Sequence, residues 1–146
     1  MKPYPHVYSA SAMGPVKGAV TVSSAGLPAM ATAPPAEFDG PGDAWSPETL
    51  LVASIADCFV LTFRGVSRAA TFDWQELKCV VEGTLERLNG VTRFSRYTTR
   101  ATLTVDAGAD HDKARELLER AEKVCLVANS LQGERFLETT VVSKAK

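Results

Sequence analysis

Residues 50–63, LLVASIADCFVLTF, are apolar at eleven of fourteen positions. A helix built from them has no polar side to offer water, so protein must surround it. The whole chain is 146 residues, enough for one domain with a good core and no need of disulfides or metals. One domain spanning residues 1–146 is therefore expected. A core of that size seldom encloses a helix alone. The apolar run is also short for a bilayer and is broken by Asp57. A central helix shared across a homodimer is the expectation that fits both facts.

The formal charge of -1 gives no global attraction to phosphate backbones or anionic lipid, so nucleic acid and membrane are not expected partners. The opening residues, MKPYPHVYSASAM, hold two prolines and no apolar stretch of the secretory kind, which points to the cytoplasm. Cys58, Cys79 and Cys125 include no CxxC pair, and with His6 and His111 they reach no zinc-ligand spacing. No metal site is expected. Glycine-rich nucleotide loops and the G-x-S-x-G hydrolase turn are absent, so no cofactor is expected either. Cysteine chemistry or a purely structural role remains.

Residues 6–13 and 18–24 read as a strand pair turned at Gly14-Pro15. Residues 32–46, TAPPAEFDGPGDAWS, read as a loop without a helix. Ser46, Pro47 and Glu48 then supply an N-cap, a first-position proline and a carboxylate in the positive first turn of the central helix. Beyond it, LKCVVEGTLERL and VTRFSRYTTRATLTVD flank Asn89-Gly90, the favoured pair for a type I′ hairpin. Leu77, Cys79, Val81 and Leu85 share the apolar face of the first run, and Lys78, Glu82, Thr84 and Glu86 lie mainly on the other. Arg93, Arg96 and Arg100 keep no strict period of two and read as a solvated strand surface.

Asp110 can cap a second helix over HDKARELLERAEKVC, with Leu117, Leu118, Ala121, Val124 and Cys125 on one stripe. Glu116-Arg120 and Glu119-Lys123 are spaced as i,i+4 ion pairs. LVANSL reads as an apolar turn or short helix, and FLETTVV as a last strand. The order ββ, α, ββ, α, β favours an α+β domain with an antiparallel sheet curled around a buried helix.

On position alone Cys79 is a small hydrophobe on a hairpin face, and packing favours a core role for Cys58 and Cys125 as well. Two strings alter that balance. SPETLLVASIADCF, followed 67 residues after its cysteine by CLVANSL, resembles the paired cysteine signatures of the family of osmotically inducible protein C and organic hydroperoxide resistance proteins (OsmC/Ohr). The resemblance runs from the early strands with VSSAG to the final strand.

What the resemblance implies is an OsmC-like fold, an intertwined homodimer in which two sheets wrap paired central helices, and a thiol peroxidase for organic hydroperoxides. Cys58 matches the attacking cysteine and Cys125 the cysteine that condenses with its sulfenic acid. A dithiol reductant, for instance of the lipoyl type, resets the pair. In the family an arginine from the early strands lowers the thiol pKa and is held by the glutamate that Glu48 matches. Here Lys17 falls at or near the arginine's place. A lysine cannot grip sulfur and carboxylate in one planar fork. Arg64 and Arg68 are substitutes later on the helix, and Arg64, roughly 9 Å along the axis from Cys58, is the nearer. Glu48 is roughly 15 Å of rise from Cys58, so any link between them passes through a long cation or a partner subunit. Asp57 would oppose a thiolate if it pointed inward. Leu126 stands where the family commonly has proline. Two other functions stay open: a dimer that binds a hydrophobic molecule beside Cys58 without turnover, and a thiol enzyme for another electrophile.

Overall fold

Local signals in the chain place its elements. In the computed structural model, which describes residues 1–144, the chain forms two compact units, Met1–Leu50 and the remainder from Leu51. The first holds a three-stranded antiparallel sheet of β1 (Ser11–Met13), β2 (Val20–Ser23) and β3 (Met30–Thr32). The expected strand pair is present, with Ser11 opposite Ser23 and Met13 opposite Thr21. Two features were not anticipated. Met30–Thr32 pairs with β2 as an edge strand, and a single 3-10 turn, Ala36–Phe38, stands in the loop read as free of helix. The turn ends at Asp39, whose φ of 59° is a conformation that aspartate tolerates.

The central helix α1 runs Pro47–Ala69. Its start is locked reciprocally: the Thr49 amide donates to Ser46 Oγ at 3.1 Å and the Ser46 amide donates to Thr49 Oγ1 at 2.9 Å. This is a capping box with threonine in the carboxylate's usual position. The helix is 23 residues long with a mean hydropathy of 1.6 in its most apolar stretch. By length and composition it could cross a bilayer, which corrects the estimate from the fourteen-residue run alone. One face is nonetheless a protein core, where Ile55, Phe59, Phe63, Val66 and Ser67 are buried. Elsewhere the helix is only partly covered by the described residues: 17% of the apolar stretch is buried, and Leu61 is 51% exposed.

In the second unit, β4 (Glu76–Leu88) and β5 (Val91–Val105) form the expected antiparallel hairpin. Asn89 and Gly90 have φ of 52° and 79°, the left-handed pair a type I′ turn needs. Along β5 the inward residues Tyr97, Thr99, Ala101, Leu103 and Val105 are all buried. Leu77 is buried and Cys79 and Val81 are half-buried on the facing strand, but Leu85 is exposed. The cause is a bulge, since the register shifts between Thr84 and Leu85. Gly83 faces Phe94 and Val52 so closely that a Cβ there would meet both below 3.0 Å, which lets α1 approach the strand.

The helix α2 (His111–Val124) is capped by Asp110, whose Oδ1 accepts from the amides of Asp112 and Lys113. Leu117, Leu118 and Ala121 are buried as expected, whereas Val124 is 51% exposed. The ion pairs on this helix are spaced i,i+3, Lys113 with Glu116 and Arg115 with Asp112, in place of the i,i+4 pairs expected. A short helix, α3 (Leu126–Asn129), precedes β6 (Glu134–Ser143). The α+β class stands as expected, with one departure from an antiparallel sheet: β6 lies parallel to β5. A strand that returns through a helical crossover arrives in the same direction as the one it left. Phe59, Phe63 and Val66 of α1 pack between Leu77, Ala101 and Leu103 of the sheet and Leu117, Leu118 and Ala121 of α2.

Candidate functional site

Cys58 and Cys125 reach the same place from opposite directions. Cys58 lies in mid-α1 on the side of Ile55, and Cys125 ends α2 and caps α3. A second apolar cluster forms there from Ile55, Tyr97, Cys125 and Ala128, with Cys58, Val81, Phe94, Val127 and Leu131 packed against it. Cys125 is 1% exposed and Cys58 is half-buried, both as free thiols. The ring of Tyr97 stacks on Phe94 at 5.6 Å between centroids. Cys58 Sγ and the Thr62 hydroxyl lie 3.8 Å apart, within range for a sulfur hydrogen bond.

Burial pushes the Cys125 thiol up, and the neighbouring Cys58 sulfur, within hydrogen-bonding reach, pushes it further. The backbone N–H groups of Ala128 and Val127 act in the opposite direction by donating toward its sulfur. The net effect is a Cys125 thiol raised above its ordinary value. Within this pair Cys58 is the more accessible sulfur and Cys125 the buried one. Cys79 is different. Burial first, and then the charge of Cys125, push its pKa up to about 12, as the inert role read from the hairpin requires.

A further group at this place was missed by sequence reading. Arg135 donates from Nε to Glu122 Oε1 at 2.7 Å, and a cavity of about 10 Å³ is lined by Arg135, Glu122, Thr99, Tyr97, Cys125 and Ile55 among others. The signal was available in the strand parity. Residues 135, 137, 139 and 141 alternate with exposed neighbours, so an arginine preceding FLETTVV belongs to the inward face.

The remaining sequence candidates lie elsewhere. Lys17 is exposed in the bend between β1 and β2. Glu48 occupies the first turn of α1, and its Oε2 is buried with no hydrogen-bond partner among the described residues. Such an oxygen calls for a donor. Arg64 is about 120° around the helix from Cys58, exposed in a surface cleft with Arg68, Phe72, Asp73 and Trp74. Asp57 is exposed and not turned into the cluster. Arg100 bridges Glu82 and Glu138, and Arg96 lies 4.7 Å over the ring of Phe136; both belong to the solvated sheet surface. Among the described residues no three His, Cys, Asp or Glu side chains converge to hold a metal ion.

A family model described as OsmC-like protein matches residues 40–140. The protein YmaD of Bacillus subtilis, described as uncharacterized, is 27% identical over 112 residues, covering 73% of this chain and 75% of its own. Among solved structures, an OsmC-like protein of unknown function from Vibrio cholerae has a TM-score of 0.84 at 16% identity, covering 92% of this chain and 99% of that one. An organic hydroperoxide resistance protein OsmC from Legionella pneumophila has a TM-score of 0.75 at 25% identity, covering 95% and 98%. One from Elizabethkingia anophelis has a TM-score of 0.78 at 22% identity, covering 98% and 100%. At these low identities the first and last likenesses establish the fold.

Proposed function

Since this chain belongs to the OsmC-like protein family, we propose that it is a thiol-dependent peroxidase that reduces organic hydroperoxides to alcohols through Cys58 and Cys125. The observation that carries the reading is the meeting of these two thiols in one apolar cluster, with the Cys125 thiol raised above its ordinary value. The Cys58 thiolate attacks the outer oxygen of ROOH, the O–O bond breaks, and ROH leaves with a proton while sulfur becomes a sulfenic acid. Cys125 sulfur then attacks the Cys58 sulfur, the S–O bond breaks, and water departs as the disulfide forms. A dithiol of the lipoyl type exchanges with the disulfide and restores both thiols. The apolar lining of Ile55, Val81 and Phe94 suits the organic part of the peroxide.

In this reading the unpartnered Oε2 of Glu48 holds a cation that favours the Cys58 thiolate. Lys17 and Arg64 are the two candidates for that cation, and Arg64 lies in the cleft of Phe72 and Trp74. The exposed part of α1 packs against a second copy of the chain, and sedimentation is expected to give about twice 15.6 kDa; a folded monomer would remove the shared helix. Lys17→Met keeps the apolar stem without the charge and is expected to shift iodoacetamide alkylation of Cys58 to higher pH. An unchanged Lys17→Met profile beside a shifted Arg64→Met profile would move the role to Arg64.

The reading is tested with stoichiometric cumene hydroperoxide. Two thiols per chain are expected to disappear, with peptide mapping showing a Cys58–Cys125 bridge and Cys79 free. A bridge on Cys79, or a Cys58 that does not react, would overturn it. Retention of the peroxide unchanged in the dimer would instead favour the hydrophobic binder.

A further inference from the structure

One arginine ties both flanks of the turn that carries Cys125. Arg135 sits on the inward side of β6, opposite Tyr97 in register. Its Nε donates to Glu122 Oε1 at 2.7 Å, its Nη2 to the Glu122 carbonyl at 2.5 Å and its Nη1 to Asn129 Oδ1 at 2.6 Å. Asn129 in turn donates from Nδ2 to the carbonyl of Lys123 at 3.1 Å. Glu122 stands before Cys125 and Asn129 after it, so the guanidinium spans the break between α2 and α3. At that break Cys125 leaves helical geometry, with φ of -64° and ψ of 105°. The side chains of Arg135 and Glu122 are 25% and 21% exposed, largely withdrawn from water. A guanidinium offers its donors in a fixed planar fork that matches three separated acceptors, whereas an ammonium is a compact point charge on a flexible stem and does not fix that geometry.

We infer that Arg135, acting through Glu122 and Asn129, is a positioning residue that holds the Cys125 sulfur against Cys58 and so sets how fast the oxidised Cys58 closes to a disulfide. The inference deepens the peroxidase reading and rests on it. Two reactions compete for the Cys58 sulfenic acid. In one, Cys125 sulfur bonds to Cys58 sulfur, and the hydroxyl leaves with the Cys125 proton as water. In the other, a second ROOH gives its outer oxygen to the sulfenic sulfur, ROH departs, and a sulfinic acid remains. The first is intramolecular and depends on alignment; the second grows with peroxide concentration. Loosening the turn by about 1 Å is enough to slow an aligned step by as much as ~10²-fold, and the balance passes to over-oxidation.

The experiment uses the full chain as wild type, Arg135→Met, Arg135→Lys and Asn129→Ala, each with two oxidants. Graded cumene hydroperoxide is followed by mass spectrometry of the Cys58 peptide. Diamide, which takes two hydrogens from two thiols and leaves a hydrazine and a disulfide, tests closure without a peroxide. Arg135→Met and Arg135→Lys are expected to close the disulfide about tenfold or more slower with both oxidants. Their sulfinic fraction at a given peroxide dose rises, while first consumption of the Cys58 thiol stays within about twofold of wild type. Asn129→Ala, which keeps the ion pair, shows a smaller defect in the same direction and covers the case in which Arg135→Met does not fold. Cys79 stays protected from iodoacetamide in every variant that has kept its core, so a general loosening would show itself. Wild-type closure rates in Arg135→Lys and Asn129→Ala would overturn the inference. If the wild type ignores peroxide while diamide closure still depends on Arg135, the positioning role stands and the peroxidase reading falls. If peroxide is consumed normally and closure is indifferent to Arg135, the positioning role alone falls.

Discussion

Phe59, Phe63, Leu103, Leu117 and Leu118, each no more than 1% exposed, line the larger apolar cluster of the second unit. The smaller cluster beside it is built of Ile55, Tyr97, Cys125 and Ala128 with a half-buried Cys58 at its margin. Both rest on α1 and on β5. In the larger, branched and aromatic side chains pack together, and Trp74 meets Phe63 edge-on with ring centroids 5.3 Å apart while its indole N–H donates to Ser67. In the smaller, two thiols share one cluster and an arginine–carboxylate pair borders a small cavity. Close packing serves stability, and its loss is felt over the whole fold. The smaller, mixed cluster instead gathers two thiols beside a bordering ion pair. The two are separable by mutation.

The largest expected effect separates them outright. Cys58→Ser should reduce hydroperoxide consumption in a coupled dithiol assay to the background rate, while thermal melting moves by less than about 1 kcal/mol because the site is half-buried and the replacement nearly isosteric. Phe63→Ala is the reverse experiment. Emptying a fully buried aromatic position costs about 3–5 kcal/mol, roughly 10 °C or more in melting temperature for a chain of this length. The protein that remains folded at low temperature should keep its Cys58–Cys125 chemistry. A large loss of stability in Cys58→Ser, or of thiol chemistry in folded Phe63→Ala, would show that the clusters act as one.

Cys79 joins the comparison because it lies on β4 between them, packed on the larger cluster and raised in pKa partly by Cys125. Its pKa goes from 9.0 to about 12 on folding. Below pH 9 the thiol is protonated in both states and folding is unaffected. Between about 9 and about 12 only the unfolded chain releases the proton, so stability falls as pH rises through that window. Cys125 is raised as well and contributes in the same direction. Cys79→Ala should therefore flatten, without abolishing, the alkaline decline measured by urea unfolding across that range. An unaltered decline would place Cys79 outside the buried core.

What could be read from the chain divides along the same physical line. Signals carried by a few adjacent residues were legible: Ser46 and Pro47 at the start of α1, Asn89-Gly90 in the hairpin, Asp110 before α2. Each acts through its own backbone neighbours, and no distant partner can cancel it. The pairing of β6 with β5 in parallel was not legible, because a strand's direction is decided by the crossover that precedes it. Leu85 has the parity of a core residue, and a bulge on the opposite strand removes it. Val124 shares the stripe of Leu117 and Leu118, yet it is the last residue of the helix and is exposed. Of the site, the two cysteines were found through their motifs. The bond between Arg135 and Glu122 joins positions thirteen residues apart across two elements, and nothing in either segment alone announces it.

The smallest expected effect bears on whether the two ends of α2 are independent. Asp110 caps the end from which Ala114, Leu117 and Leu118 enter the larger cluster, and Cys125 follows the other end. Asp110 Oδ1 accepts from two backbone amides at 3.0 and 2.9 Å, so Asp110→Ala leaves both donors to water and loses a favourable charge at the positive helix terminus. The cost is about 1 kcal/mol. Fraying of a helix terminus is confined to its first turn, whereas Cys125 lies about four turns from Asp110, in the turn that Arg135 ties. Urea unfolding should register the full loss, and the rate of Cys58–Cys125 closure by diamide should equal that of the wild type. A slower closure in Asp110→Ala would mean that the cap's strain passes along the whole helix to the thiol, and that the rigidity of α2, together with Arg135, sets the geometry of the reactive pair.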